Sequence, residues 1–250
     1  MATVEIKGMI SSDDNTEVYE WFGYDTVNPS RVREQLDSID DGEDIIVNID
    51  SYGGEVTAGS EIYTMLRLAK NKVEVHVTSL AASAASLIAM AGDKILMSPS
   101  AQMMIHRASS GADGNRDAMA QVGQMLDSTD QMLVDVYKAK TGLSKPTLYQ
   151  MLKDETWLNA NDAIKLGFAD GKMFDEDDED PEEADVVANP AYNAFGPAHL
   201  SAEKIASVKA MLHPKPVPDD GKKLIQENTV DSQLVKDKLA ILFDTKRGRK

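Results

Sequence analysis

Ser83 stands in the run Ser79-Leu80-Ala81-Ala82-Ser83-Ala84-Ala85-Ser86, and His106 closes the apolar stretch Met104-Ile105-His106, 23 residues further on. A hydroxyl among very small residues leaves room for a substrate backbone, and a histidine is the usual group to take its proton. The pair Gly53-Gly54 lies upstream, where backbone amides could face an oxyanion. Acyl transfer to serine needs a nucleophile with a base in reach, a group that orients the base, and donors for the tetrahedral oxyanion. At a strand-to-helix junction, Ser83 would project from the first helical turn, with the Ala84 amide among that turn's unpaired donors. Read locally, the same residues also describe a tightly packed helix with Ser83 as its N-cap.

Rival sites are poorly supported. His76 lies on an alternating strand, where a packed or capped side chain is expected, and His199 and His213 fall near the C-terminus. No cysteine is present, so neither a disulfide nor a thiolate metal site is available. No cluster has metal-ligand spacing and no glycine-rich loop has the phosphate-binding pattern. The expectation is a site without metal or cofactor.

The chain has 250 residues and a net charge of −16, which disfavours general binding to a phosphate backbone. No basic region followed by an apolar core opens it, and the stretch from Leu80 to Ala91 is too short and too rich in Ser and Ala to span a bilayer. A soluble, cytoplasmic protein without nucleic-acid or membrane partners is expected. Asp175 to Asp185 holds nine acidic residues and no basic one, the composition of a solvated, disordered linker. The chain ends in the basic cluster Lys246-Arg247-Gly248-Arg249-Lys250.

The elements that must position Ser83 and His106 follow from periodicity. Residues 3–10 alternate as a strand, and Asn28-Pro29-Ser30 opens a helix that ends near Asp41-Gly42. Asp44 to Asp50 predicts one buried strand, broken by Gly53-Gly54. A helix then runs from Glu55 to Lys70, a strand from Val73 to Thr78, and a small-residue helix from Ser83 to Ala91. Two short strands follow, at 94–97 and 102–105. A long helix from Asn115 to about Lys140 carries apolar positions including Met119, Val122, Met125, Leu126, Leu133 and Val136, and Gly142 stops it. A helix spans Lys145 to Leu152, Trp157-Leu158 leads into a last helix ending at Leu166, and Phe168 to Met173 closes the domain as a strand. Strand-helix alternation at this spacing predicts an α/β fold of crossover units with a mostly parallel sheet. The domain plan is 1–173 as the core, 174–188 as acidic linker, and 189–250 as a tail with short amphipathic helices at Ser201–Leu212 and Asp231–Phe243.

From Asp44 through His106 the sequence resembles the proteolytic subunit of the Clp protease family. The segment Asn48-Ile49-Asp50-Ser51-Tyr52-Gly53-Gly54-Glu55-Val56 is similar to that family's Asn-Ser-Pro-Gly-Gly loop and following helix. Ala81-Ala82-Ser83, followed by Ala91-Gly92, resembles its nucleophile block, and Met103-Met104-Ile105-His106 the stretch ending in its active histidine. The likeness covers roughly residues 3–173. It implies a ClpP/crotonase-like fold of repeated β-β-α units and a serine endopeptidase. It further implies Ser83 as nucleophile, His106 as base, and Gly54 and Ala84 as oxyanion donors.

Two positions depart from the family pattern. Its triad aspartate precedes a Phe-Leu-(Ser/Thr)-Ala stretch; here Trp157-Leu158-Asn159-Ala160 matches, and counting back lands on Glu155, with Asp154 as the alternative. Glutamate serves in Ser-His-Asp/Glu variants. Tyr52 replaces a proline in the loop that, with Gly53, leads to the edge holding substrate as an added strand.

Within the family, Glu155 before Trp157, the Ser-Tyr-Gly-Gly loop and a first strand starting near residue 3 look like the ClpP-like prohead proteases of tailed phages and prophages. That branch implies ATP-independent cleavage of scaffold and capsid proteins, including its own tail, in the host bacterial cytoplasm or inside procapsids. A housekeeping subunit fed by an unfolding ATPase is the alternative. Either implies a homo-oligomeric ring of six or seven subunits. A crotonase-type acyl-CoA enzyme and a non-catalytic assembly protein are the readings from other classes.

Overall fold

The computed structural model describes residues 1–174 and 200–213. The chain divides into two compact units, Met1–His199 and Leu200–Lys250. The acidic run from Asp175, the expected disorder of the tail and the candidate helix at Asp231–Phe243 lie outside the described residues.

In the first unit the strands are β1 (Ala2–Ile10), β2 (Thr26–Val27), β3 (Ile45–Gly54), β4 (Val73–Ala82), β5 (Lys94–Met97), β6 (Gln102–Ile105), β7 (Thr156–Asn159) and β8 (Gly171–Lys172). The helices are α1 (Asp13–Trp21), α2 (Pro29–Asp37), α3 (Val56–Leu68), α4 (Ala84–Ala89), α5 (Arg116–Thr141), α6 (Lys145–Lys153) and α7 (Ala160–Lys165). A parallel sheet runs in the order β2-β1-β3-β4-β5-β8, as the mixed α/β expectation requires.

One face of that sheet makes the core. Val4 and Ile6, Ile45, Val47 and Ile49, Val73, Val75 and Val77, and Ile95 and Met97 are all buried at alternate positions. They pack with Ile62 and Leu66 of α3, Leu87 and Ile88 of α4, and Leu133 and Tyr137 of α5. Several of the residues between them are polar: Glu5, Asn48 and His76 share one register row. The Asn48 amide donates to Glu5 at 2.8 Å, and His76 Nε2 lies 2.8 Å from Glu74 Oε1. His76 therefore has a structural partner.

The decisive feature is β4, which serves two neighbours in turn. Glu74 to Val77 pair with β5, whereas Leu80 to Ala82 pair with β6. β6 then pairs antiparallel with β7. This brings the carboxyl ends of β4 and β6 side by side, the end of a parallel sheet where ligands of α/β folds bind.

The caps expected at Asn28 and Gly142 are present, and Asn115, expected inside its helix, is a cap as well. Asn28 accepts from Arg31 N–H, Asn115 accepts from the Asp117 and Ala118 amides, and Gly142 ends α5 in the left-handed conformation at φ 73°. Other boundaries differ. α2 stops at Asp37, short of Asp41-Gly42. Gly53-Gly54 does not break β3: Gly53 and Gly54 still pair with Met9 and Ile10. Trp157-Leu158 leads into helix α7 as expected and itself forms strand β7, because its partner β6 supplies a ladder that local periodicity does not reveal. The last strand shortens to Gly171–Lys172, with Phe168 and Ala169 buried ahead of it. Helix α1 and strand β2 have no counterpart in the sequence reading. On α5 the apolar stripe is buried only at its C-terminal half; Met119 and Met125 are exposed.

In the second unit the described element is α8 (Ala202–Leu212), capped by Ser201, whose side chain accepts from Lys204 N–H.

Candidate active site

Ser83 is placed by two elements that disagree about direction. β4 reaches it from behind, and the pairing of Ala82 with Met104 continues one residue further as Ser83 N–H donates to Met104 O at 2.9 Å. α4 begins at the very next residue. The chain must therefore turn within a single residue, and Ser83 takes φ 56°, ψ −124°. A side chain there is strained by roughly 1–3 kcal/mol, a cost that persists where surrounding structure over-determines it. Ser83 occupies the N-cap position but makes no side-chain capping bond. Its hydroxyl turns instead to His106, whose Nε2 lies 2.7 Å from Ser83 Oγ. That is the spacing of a hydroxyl donating to a ring nitrogen, and it is the contact a general base needs.

His106 owes its place to β6. It follows Ile105, the last paired residue of a strand whose Met103, Met104 and Ile105 are buried. Three buried residues fix the strand's depth, so the next side chain emerges at the sheet's end beside Ser83.

The two acids proposed to orient the base are placed differently. Asp154 caps the C-terminus of α6, and both its oxygens accept from Gln150 Nε2 at 2.8 Å on an exposed surface. Glu155 precedes Thr156, which pairs with Ile105 in the antiparallel β6–β7 ladder. That pair ends the ladder, so Glu155 and His106 are the residues next beyond it on their two strands. Glu155 also has a left-handed backbone, φ 53°, and burial pushes its carboxyl above the usual glutamate range. Besides Ser83, Glu155 and Phe174, the described residues have positive φ only at glycine.

The glycine turn packs directly on the nucleophile. A Cβ on Gly53, at φ 94°, would lie 2.6 Å from Ala82 O, 2.7 Å from Ser83 Cβ and 3.0 Å from Ala84 N. On Gly54 it would lie 1.9 Å from Ile10 O. Buried Ser51 holds the turn: its hydroxyl donates to Gly8 O at 2.6 Å and accepts from Gly53 N–H at 3.1 Å. Gly53's own amide is therefore used within the loop. Tyr52, between them, is 43% exposed. Ala84, the first residue of α4, is buried beside the turn.

Behind Ser83, Ser86 Oγ donates to Ser83 O at 2.6 Å and meets the Tyr137 hydroxyl at 2.9 Å. Tyr137 is fully buried against Phe168, and burial raises its phenol to about 12. This link ties α4 to α5. Sequence reading missed it, along with Ser51 and the Arg107–Asp130 pair. Asp130 carried a legible signal, since it lies on the same helical face as Leu126 and Leu133, where a lone acid requires a partner. Among the described residues no three His, Cys, Asp or Glu side chains gather as metal ligands. Nor is any described helix long and apolar enough to cross a membrane.

Comparison with known proteins converges on the same segment. The family model described as Clp protease matches residues 31–176. A Deinococcus radiodurans protein named ATP-dependent Clp protease proteolytic subunit is 34% identical over 138 residues, 54% of this chain and 67% of the relative. A Chlamydia muridarum protein named ATP-dependent Clp protease proteolytic subunit 1 is 30% identical over 141 residues, 55% of this chain and 73% of its own. A Streptococcus mutans protein of the former name is 30% identical over 142 residues, 55% and 72% of the two chains.

Proposed function

Because the chain belongs to the Clp protease family, it is a peptidase, and we propose that it cleaves peptide bonds through Ser83, His106 and Glu155. The observation that carries this reading is the 2.7 Å approach of His106 Nε2 to a hydroxyl held on a strained backbone. Ser83 Oγ attacks the peptide carbonyl carbon while Nε2 takes its proton. Gly54 and Ala84 donate amides to the oxyanion, a role favoured by the commitment of the Gly53 amide to Ser51 and by Ala84's place in the first turn of α4. His106 returns the proton to the leaving amine, and water then hydrolyses the acyl-enzyme. Glu155 orients the imidazole; its place just beyond the β6–β7 ladder, as His106 is on the other strand, and the engagement of Asp154 with Gln150 support that choice. Tyr52 and Gly53 border the edge that receives substrate as an added strand.

Members of the Clp protease family form oligomeric rings and act on protein substrates. For this chain we read a ring of six or seven copies; exposed Met119 and Met125 on α5 support burial against another copy. The finer role is ATP-independent trimming of scaffold and capsid proteins in phage head maturation. It is supported by the Ser51-Tyr52-Gly53-Gly54 loop and by glutamate at 155, where housekeeping members carry aspartate. In this reading the tail beyond residue 174 serves in docking or scaffolding within the procapsid. The names of the relatives support a second reading, a subunit working with an unfolding ATPase.

The full chain treated with a fluorophosphonate should be labelled at Ser83, and Ser83→Ala should abolish both labelling and cleavage of a denatured protein. Undiminished cleavage by Ser83→Ala overturns the assignment. Processing of the co-encoded scaffold protein without nucleotide supports the head-maturation role, whereas cleavage only with a Clp ATPase and ATP supports the second.

A further inference from the structure

Arg107, directly after His106, makes more side-chain and backbone contacts than a surface arginine needs. Its Nε donates to Asp130 Oδ2 at 2.5 Å and its Nη2 to Asp127 Oδ1 at 3.0 Å. The guanidinium carbon lies 5.2 Å from the ring centre of Tyr149, within cation–π reach. The Arg107 backbone N–H donates to Leu152 O at 3.1 Å, and the Ala108 N–H takes the other Asp130 oxygen at 2.8 Å.

Asp130 sits on α5 at 0% exposure, on the buried stripe with Leu133 and Val134. A buried carboxylate is unfavourable unless paired and hydrogen-bonded, and an apolar residue of similar volume often serves stability as well. Stability alone therefore gives little reason for this acid. Its two oxygens are spent on the two residues that follow His106, where the β6 ladder has ended and no regular element begins until α5. Leu152, which holds Arg107 from the other side, lies three residues before Glu155. A single network thus fixes the exit of the base's strand against both α5 and the segment bearing Glu155.

We infer that Asp130 and Arg107 are positioning residues that clamp the 106–108 backbone and so hold the His106 imidazole against Ser83. The inference rests on the peptidase reading of that pair. Asp127 is the control, since it reaches the same guanidinium from an exposed position, with a side chain 63% accessible, where ion pairs contribute little.

The test compares Asp130→Asn and Asp127→Asn with the wild-type full chain. The readouts are the second-order rate of Ser83 acylation by a fluorophosphonate, kcat and KM on an unstructured peptide, melting temperature, and the ring NMR signals of His106, assigned through His106→Gln. Asp130→Asn keeps the shape and an acceptor but loses the charge. Acylation and kcat should fall by about a hundredfold, the scale set by a misplacement of about 1 Å. KM should stay within about threefold, as expected of a group that touches no substrate, and the His106 ring signals should shift. Asp127→Asn should leave acylation within about threefold. If Asp130→Asn does not fold, the double variant Arg107→Gln with Asp130→Asn, which strands no buried charge, takes its place. A folded variant that acylates at the wild-type rate overturns the clamp. If the wild-type chain itself does not react, the peptidase reading fails, and the ring signals decide the clamp: a shift supports it, unchanged signals refute it.

Discussion

Gly53 packs so closely on Ser83 that a Cβ added to the glycine would stand 2.7 Å from the serine Cβ. The turn that carries the candidate oxyanion donor and the turn that carries the nucleophile are thus in direct contact, with no side chain between them. A relative movement of one displaces the other.

Gly53→Ala should therefore harm both stability and chemistry. The new methyl meets Ala82 O at 2.6 Å, a backbone atom that cannot rotate away, and φ 94° is unfavourable for any L side chain. The backbone strain alone costs about 1–3 kcal/mol. Chemical denaturation should show at least that loss, and fluorophosphonate labelling of whatever folds should be slower than wild type. A variant with wild-type stability would contradict the contact.

Comparing two substitutions at the nucleophile isolates its strain. Ser83→Ala and Ser83→Gly both delete the hydroxyl and its bond to His106, but only glycine tolerates φ 56°. Ser83→Gly should be the more stable by about 1 kcal/mol, after the greater chain entropy of glycine offsets part of the relieved strain. Equal melting temperatures would mean that Ser83 is not held in the left-handed region.

Glu155 makes a pH prediction whose sign follows from burial. Its carboxyl is pushed above the ordinary value of 4.5, so the folded state binds this proton more tightly than the unfolded chain. Stability from this group is fully present below 4.5 and is lost as pH rises through the folded value. Glu155→Gln, which stays neutral, should gain on wild type in melting temperature as pH climbs through that window. Activity should move the other way: the ionised carboxylate orients His106, so the acid limb of wild-type activity should lie above the usual glutamate range. A constant stability difference across pH would refute the burial effect.

Much of this was legible from the chain alone because it is local. Asn28 and Gly142 announce their caps, and alternating Val and Ile residues announce β3 and β4. The nearness of Ser83 to His106 came from resemblance, since no spacing rule reveals that β4 divides between β5 and β6. Trp157-Leu158 shows no strand of its own in the sequence, because a four-residue strand depends on its partner for identity. Asp130's place on the apolar stripe is legible, but its partner is not: Arg107 is remote in sequence and adjacent only in the fold.

Tyr137 offers a last test, of the support behind the nucleophile. Its hydroxyl meets Ser86 Oγ at 2.9 Å, and Ser86 in turn donates to Ser83 O at 2.6 Å. Tyr137→Phe preserves the packing against Phe168 and the Ser86–Ser83 bond, so it removes one buried hydrogen bond, worth about 1 kcal/mol. The same burial raises the phenol to about 12 from 10.0. The unfolded chain would then ionise first, and stability would be lost as pH rises from 10 toward 12. Tyr137→Phe should be less stable than wild type at neutral pH and should close that gap in strong alkali. Denaturation of both proteins at pH 7 and near pH 11 measures it, and a gap that does not narrow would show that Tyr137 ionises as an ordinary surface tyrosine does.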